Sequence, residues 1–181
     1  MNNDLPNIQY SGSFLAISDD DYLGVVVGLE HESRFYLILG PGSNGYDNHT
    51  DSWRIVSVAS TTGPDDDTMV QAILSPESVA GQTKVLYTWP DKQWSRDTAY
   101  LWVLEYKQYA EGRSSLFFMM MEEAEDMFLT GVTVDLSTSA PLKTDRAREG
   151  SIQEASADRF KFGVFSYSQQ AKFYDLQYQC I

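Results

Sequence analysis

A single cysteine, Cys180, stands in a chain of 181 residues. An intrachain disulfide framework and a cysteine-based zinc site both need more than one. Two histidines, His31 and His49, leave little material for a histidine-rich metal centre. Basic side chains are also scarce: 13 Lys and Arg face 26 Asp and Glu, a formal charge of −13. Phosphate backbones are gripped by clustered Lys and Arg, so this balance argues against a nucleic-acid partner. It argues equally against an anionic membrane surface. No apolar run approaches the roughly 20 residues of a bilayer span, so membrane insertion is not expected. The opening Met1-Asn2-Asn3-Asp4-Leu5-Pro6 has neither the basic start nor the apolar stretch of a secretory signal. That fits either a cytosolic protein or a piece of a longer precursor.

What is abundant is aromatic. Eleven Tyr, nine Phe and four Trp bring aromatics to 13%, a richness that favours strands or a binding surface. The apolar runs are short and rich in β-branched and aromatic residues. They predict strands at 8–18, 23–29, 34–40, 53–59, 70–74, 84–88, 99–106, 114–121, 131–135, 160–166 and 172–179. Alternation is clean in places: Tyr100, Trp102, Leu104 and Tyr106 share one face of their run. Turn signals stand between the runs, among them Gly40-Pro41-Gly42, Thr62-Gly63-Pro64-Asp65 and Trp89-Pro90-Asp91. The stretch 121–127 reads as the one short helix, and 138–158 reads as a long polar loop. The expectation is one all-β domain over residues 1–181, a two-sheet antiparallel sandwich of the jelly-roll kind.

Candidate chemistry is sparse. Neither G-x-S-x-G nor H-E-x-x-H occurs, and Gly40-Pro41-Gly42-Ser43-Asn44-Gly45 lacks the Lys-Ser/Thr ending of a phosphate loop. Glu123 and Glu125 would share a face if extended, the arrangement a glycoside hydrolase needs. The plainer reading is a solvated acidic segment. Trp53, Trp89 and Trp94 are candidate stacking platforms for sugar rings, or else core residues. The acidic charge is uneven: residues 1–67 hold eleven Asp and Glu against Arg34 and Arg54. Much of it lies in two triplets, Asp19-Asp20-Asp21 and Asp65-Asp66-Asp67. Clustered carboxylates on loops suit a hard divalent cation, although neither triplet fits the EF-hand spacing.

An ordered series of motifs then carries a resemblance. Tyr10-Ser11-Gly12-Ser13-Phe14, Asp19-Asp20-Asp21-Tyr22-Leu23-Gly24-Val25-Val26-Val27-Gly28 and Ser33-Arg34-Phe35-Tyr36 come first. Ser60-Thr61-Thr62-Gly63-Pro64, Gly81-Gln82-Thr83-Lys84-Val85-Leu86 and Asp97-Thr98-Ala99-Tyr100-Leu101-Trp102 come next. The last are Gly163-Val164-Phe165-Ser166-Tyr167-Ser168-Gln169 and Phe173-Tyr174-Asp175-Leu176-Gln177-Tyr178-Gln179-Cys180. In order and spacing, over about residues 8 to 180, these resemble the carboxy-terminal domain of thrombospondins.

That resemblance implies a lectin-like (concanavalin-like) sandwich that binds calcium, in secreted, oligomeric adhesion proteins. It points to Asp19, Asp20 and Asp21 as calcium ligands, and to Asp175 as a further ligand if the first and last strands pair. It implies a protein or glycan partner, an extracellular setting and a place in a larger assembly, with no catalytic role. The calcium repeats that precede this domain in the family are absent here, and 40–51 and 121–158 depart from its pattern. The family's terminal cysteine pairs with one in a leading segment that this chain lacks. Cys180 is therefore expected to be a thiol. Alkylation under non-reducing conditions should add one label to a monomer-mass species; an unlabelled species of dimer mass would show an intermolecular bridge instead.

Overall fold

The computed structural model describes residues 7–18, 22–31, 34–41, 53–59, 83–89, 94–109, 114–124, 127–136, 162–167 and 170–181. Those residues form ten strands: β1 (Ile8–Ser18), β2 (Tyr22–His31), β3 (Arg34–Pro41), β4 (Arg54–Ala59), β5 (Thr83–Thr88), β6 (Ala99–Gln108), β7 (Ser114–Glu122), β8 (Met127–Asp135), β9 (Phe162–Tyr167) and β10 (Gln170–Cys180). They divide into two five-stranded sheets, one ordered β10-β1-β6-β7-β8 and the other β5-β4-β3-β2-β9. Every pairing is antiparallel. The expected two-sheet sandwich is thus the observed architecture, and the first and last strands pair, Ile8 opposite Cys180.

One expectation fails. The described residues of 121–127 are not helical: β7 runs to Glu122, Glu123 and Ala124 turn, and β8 begins at Met127. Met119, Met120 and Met121 suit a helix by propensity, but they continue a strand whose alternate side chains Leu116, Phe118 and Met120 fill the core. Burial of that face outweighs local preference. The expected strand at 70–74 and the long loop at 138–158 lie outside the described residues.

Period-two alternation explains which face is buried. In β6, Tyr100, Trp102, Leu104 and Tyr106 point between the sheets, while Leu101, Val103 and Glu105 point outward and are partly exposed. The run Phe35-Tyr36-Leu37-Ile38-Leu39 in β3 does not alternate in polarity, and both of its faces are buried. Tyr36 and Ile38 join the inter-sheet core, and Phe35, Leu37 and Leu39 join a second cluster with Tyr22, Val56 and Val58. A strand buried on both faces reads as a continuous apolar run.

The inter-sheet core is built on stacked aromatic rings. Phe14 of β1 stacks on Tyr100 at 5.2 Å and on Trp53 at 6.2 Å. Trp53 stacks in turn on Phe118 at 5.9 Å, and Trp89 meets Phe118 edge-on at 5.7 Å. Phe14, Tyr100 and Phe118 belong to one sheet, whereas Trp53 and Trp89 flank β4 and β5 of the other. The stack therefore joins the sheets. Such ring pairs contribute about 0.5–1.5 kcal/mol each beyond their buried area.

Gly40 shows why this packing needs a residue without a side chain. The Trp53 ring lies against its Cα, where a Cβ would stand. The Trp94 indole N–H donates to its carbonyl oxygen at 3.0 Å. Two tryptophans thus close on one backbone position. Gly40→Ala should cost about 1–3 kcal/mol through overpacking and lower the melting temperature by roughly 3–10 °C. A melting curve unchanged by Gly40→Ala would show that this contact is loose.

Candidate functional site

The end of β1 is where the sequence-predicted site begins. Ser18 closes β1 in one sheet and Tyr22 opens β2 in the other. Asp19, Asp20 and Asp21 are the connection between them, and they lie outside the described residues. So do Asp65, Asp66, Asp67 and Glu125. What the structure gives is the frame around the first triplet. Packed sheets stand about 10 Å apart, so three residues carry the chain from one sheet to the other.

Both flanks of that connection are fixed. On the β2 side Tyr22 is buried, and the Arg54 guanidinium lies 5.6 Å from its ring centroid, a cation–π contact. On the β1 side the Asp97 N–H donates to the Ala16 carbonyl at 3.0 Å. Asp97 has a positive φ of 58°, a left-handed conformation that Asp tolerates better than most residues. The turn holding it is fastened again where the Ser95 N–H donates to the Tyr100 hydroxyl at 2.7 Å. An exposed carboxylate that sequence reasoning did not single out is thereby held two residues short of the end of β1.

Asp175 is placed elsewhere. Ser18 pairs with Gln170 and Ser13 with Tyr174, and the register then slips so that Ser11 meets Gln177. Asp175 and Leu176 together oppose Gly12, a β-bulge, and Asp175 carries its left-handed φ of 52°. The bulge fits because Gly12 lacks a Cβ: one there would meet the Leu176 side chain at 2.5 Å and the Trp102 ring at 3.0 Å. Asp175 therefore stands six β1 positions from Ser18, about 20 Å along the strand. Strand pairing alone does not bring it to the end of β1 that leads into the triplet. Among the described residues no group of three His, Cys, Asp or Glu side chains could hold a metal ion.

Trp53, Trp89 and Trp94 are buried to between 1% and 4% exposure, so none offers a ring face to a sugar. They are core residues, and indole packing rather than ligand stacking accounts for their positions. Glu123 sits exposed in the β7–β8 turn, where its carboxylate accepts a hydrogen bond from the Tyr174 hydroxyl at 2.8 Å. Burial first, and then the bond to Glu123, raise the Tyr174 pKa above the ordinary tyrosine value. Burial does the same for Tyr10, and for Tyr36 together with the nearby Tyr106. Lys107 is raised by its hydrogen bond to Glu105, with which it forms an ion pair at 2.7 Å. Each of these shifts moves its group away from neutral pH, opposite to what acid–base chemistry near neutrality uses.

Cys180 is a free, exposed thiol at the end of β10, with the Tyr178 hydroxyl 3.6 Å from its sulfur.

Comparison with known proteins agrees with the arrangement of strands and motifs. The family model for the thrombospondin C-terminal region matches residues 2–141. Thrombospondin-1 of Xenopus laevis is 25% identical over 189 residues, covering 96% of this chain. Thrombospondin-2 of Mus musculus is 24% identical and that of Homo sapiens 23% identical, each over 190 residues and 96% of this chain. The chain spans 14% of the length of each of these relatives. The match of the family model over most of the chain makes this chain a member of the thrombospondin C-terminal region family.

Proposed function

We propose that this chain is a calcium-stabilised, non-enzymatic interaction domain that works outside the cell, with the ion held at Asp19, Asp20 and Asp21. The observation that carries the proposal is the position of the triplet: three consecutive carboxylates in the three-residue step between the sheets. At an effective dielectric near 20, two unit charges about 6 Å apart repel by roughly 3 kcal/mol. Arg54, packed on the Tyr22 ring one residue beyond the triplet, brings a positive charge to the β2 flank. A divalent cation bound by carboxylate oxygens removes the remaining repulsion and adds ligand bonds. Asp97, held at Ala16, is the carboxylate we add to the candidate ligands.

Family membership supports an adhesive or protein-binding role and a secreted setting, since the relatives are thrombospondins. The burial of Trp53, Trp89 and Trp94 removes these three indoles as stacking platforms for a glycan.

Thermal unfolding with calcium and then with excess chelator tests the site. At a calcium concentration a hundred times the dissociation constant, binding to the native state adds about 2.7 kcal/mol. For a chain of this size that is on the order of 5 to 10 °C in melting temperature. Asp20→Asn or Asp21→Asn should abolish the calcium-dependent shift and leave the calcium-free melting temperature unchanged or slightly higher. Identical curves with calcium and with chelator in the unmodified protein would refute the calcium site.

A further inference from the structure

β10 is an edge strand, and among the described residues it pairs with β1 alone. Natural edges are guarded by charge, proline or bulges, because an open row of backbone N–H and C=O groups recruits another strand. In β10 the Asp175 bulge guards the middle, but the residues beyond it have no such guard. Leu176-Gln177-Tyr178-Gln179-Cys180-Ile181 contains no charged residue and no proline, in a chain of net charge −13. Its pairing to β1 is regular, from Ser11 opposite Gln177 to Ile8 opposite Cys180.

The side chains of this segment are unusually open. Leu176 is 45% exposed, Tyr178 48% and Ile181 52%. Tyr178 stands opposite Tyr10 on the core-facing side, its ring 5.7 Å from Phe162, yet half of it reaches solvent because no strand lies beyond it in the described sheet. Of the other three edges, β5 carries Lys84 and β8 ends in Asp135, as β10 carries Lys172 and Asp175 ahead of its neutral segment. β9 is neutral, but its apolar side chains Phe162, Val164 and Phe165 are mostly buried.

We infer that the occupant of this edge is the same strand of a second copy, paired antiparallel about a two-fold axis at Tyr178 and joining the two five-stranded sheets into one. The segment is self-complementary in that register. The two Tyr178 rings meet at the axis, and Leu176 of each copy faces Cys180 of the other, all on the core-facing side. On the opposite side Gln177 faces Gln179 of the second copy; the Gln179 amide donates to Gln9 of its own chain and keeps a second N–H and its carbonyl oxygen for the partner. Asp175 falls opposite Ile181, so the two Asp175 side chains do not confront each other. Any other strand of comparable fit would have to be neutral over the same length and carry the same spacing of large apolar groups; a second copy supplies both. An isologous contact of this kind closes on itself and stops at a dimer.

Light scattering or sedimentation of the 181-residue protein under reducing conditions, which exclude a Cys180 bridge, tests the inference. The expected species has twice the 20.5 kDa mass of one chain. Tyr178→Lys places two ammonium groups at the axis and should return the protein to monomer with its far-UV spectrum unchanged. In a Cys180→Ser background, Tyr178→Cys should cross-link on oxidation, because directly opposed strand residues stand about 4.5–5.5 Å apart, within disulfide reach. A wild type that remains monomeric up to about 1 mM, the weak limit of specific association, would overturn the inference. So would a Tyr178→Lys variant that stays dimeric, or a Tyr178→Cys variant that fails to cross-link.

Discussion

The structure depends on β1 keeping its place between β10 and β6. Its partners come from the far end of the chain and from the middle, Ile8 facing both Cys180 and Tyr106. Its Phe14 joins the aromatic stack that holds the two sheets together. Its Gly12 lets the Asp175 bulge form, and its last residue is followed by three aspartates and the first strand of the other sheet. Pairings so distant in sequence carry a large loop-closure cost before they yield contacts. A cation that quiets the aspartate step would act where the two sheets first become connected.

Much of this was legible in the residues. Strand β1 spans 8–18 as alternation and composition place it, and the core faces of β6 and β7 follow period two. Position 121–127 misled because methionine and glutamate favour helices, while the decisive term, burial of Leu116, Phe118 and Met120 against the opposite sheet, is not local. The tryptophans were ambiguous for the same reason: Trp53 and Trp94 close on Gly40, a contact between positions that only the folded chain brings together.

The candidate site was less legible than the fold. The triplet announces itself as charge, but Asp97 does not; a left-handed backbone and one hydrogen bond to Ala16 bring it to the same end of the sheet. Asp175 was readable as an acidic residue near the end of a terminal strand. The bulge that fixes its distance from Ser18 arises from Gly12 meeting Leu176, and spacing along the sequence carries no trace of that. The openness of β10 is likewise a property of its edge position rather than of its composition.

The proposed role turns on one cation at the aspartate step beside Tyr22. Terbium, which replaces calcium on oxygen ligands and emits when a nearby aromatic ring absorbs, reports on that place directly. Titration should give sensitised emission that saturates at one terbium per chain, is displaced by calcium, and is lost in Asp20→Asn and Asp21→Asn. Emission that never saturates, or that persists unchanged in both variants, would contradict it.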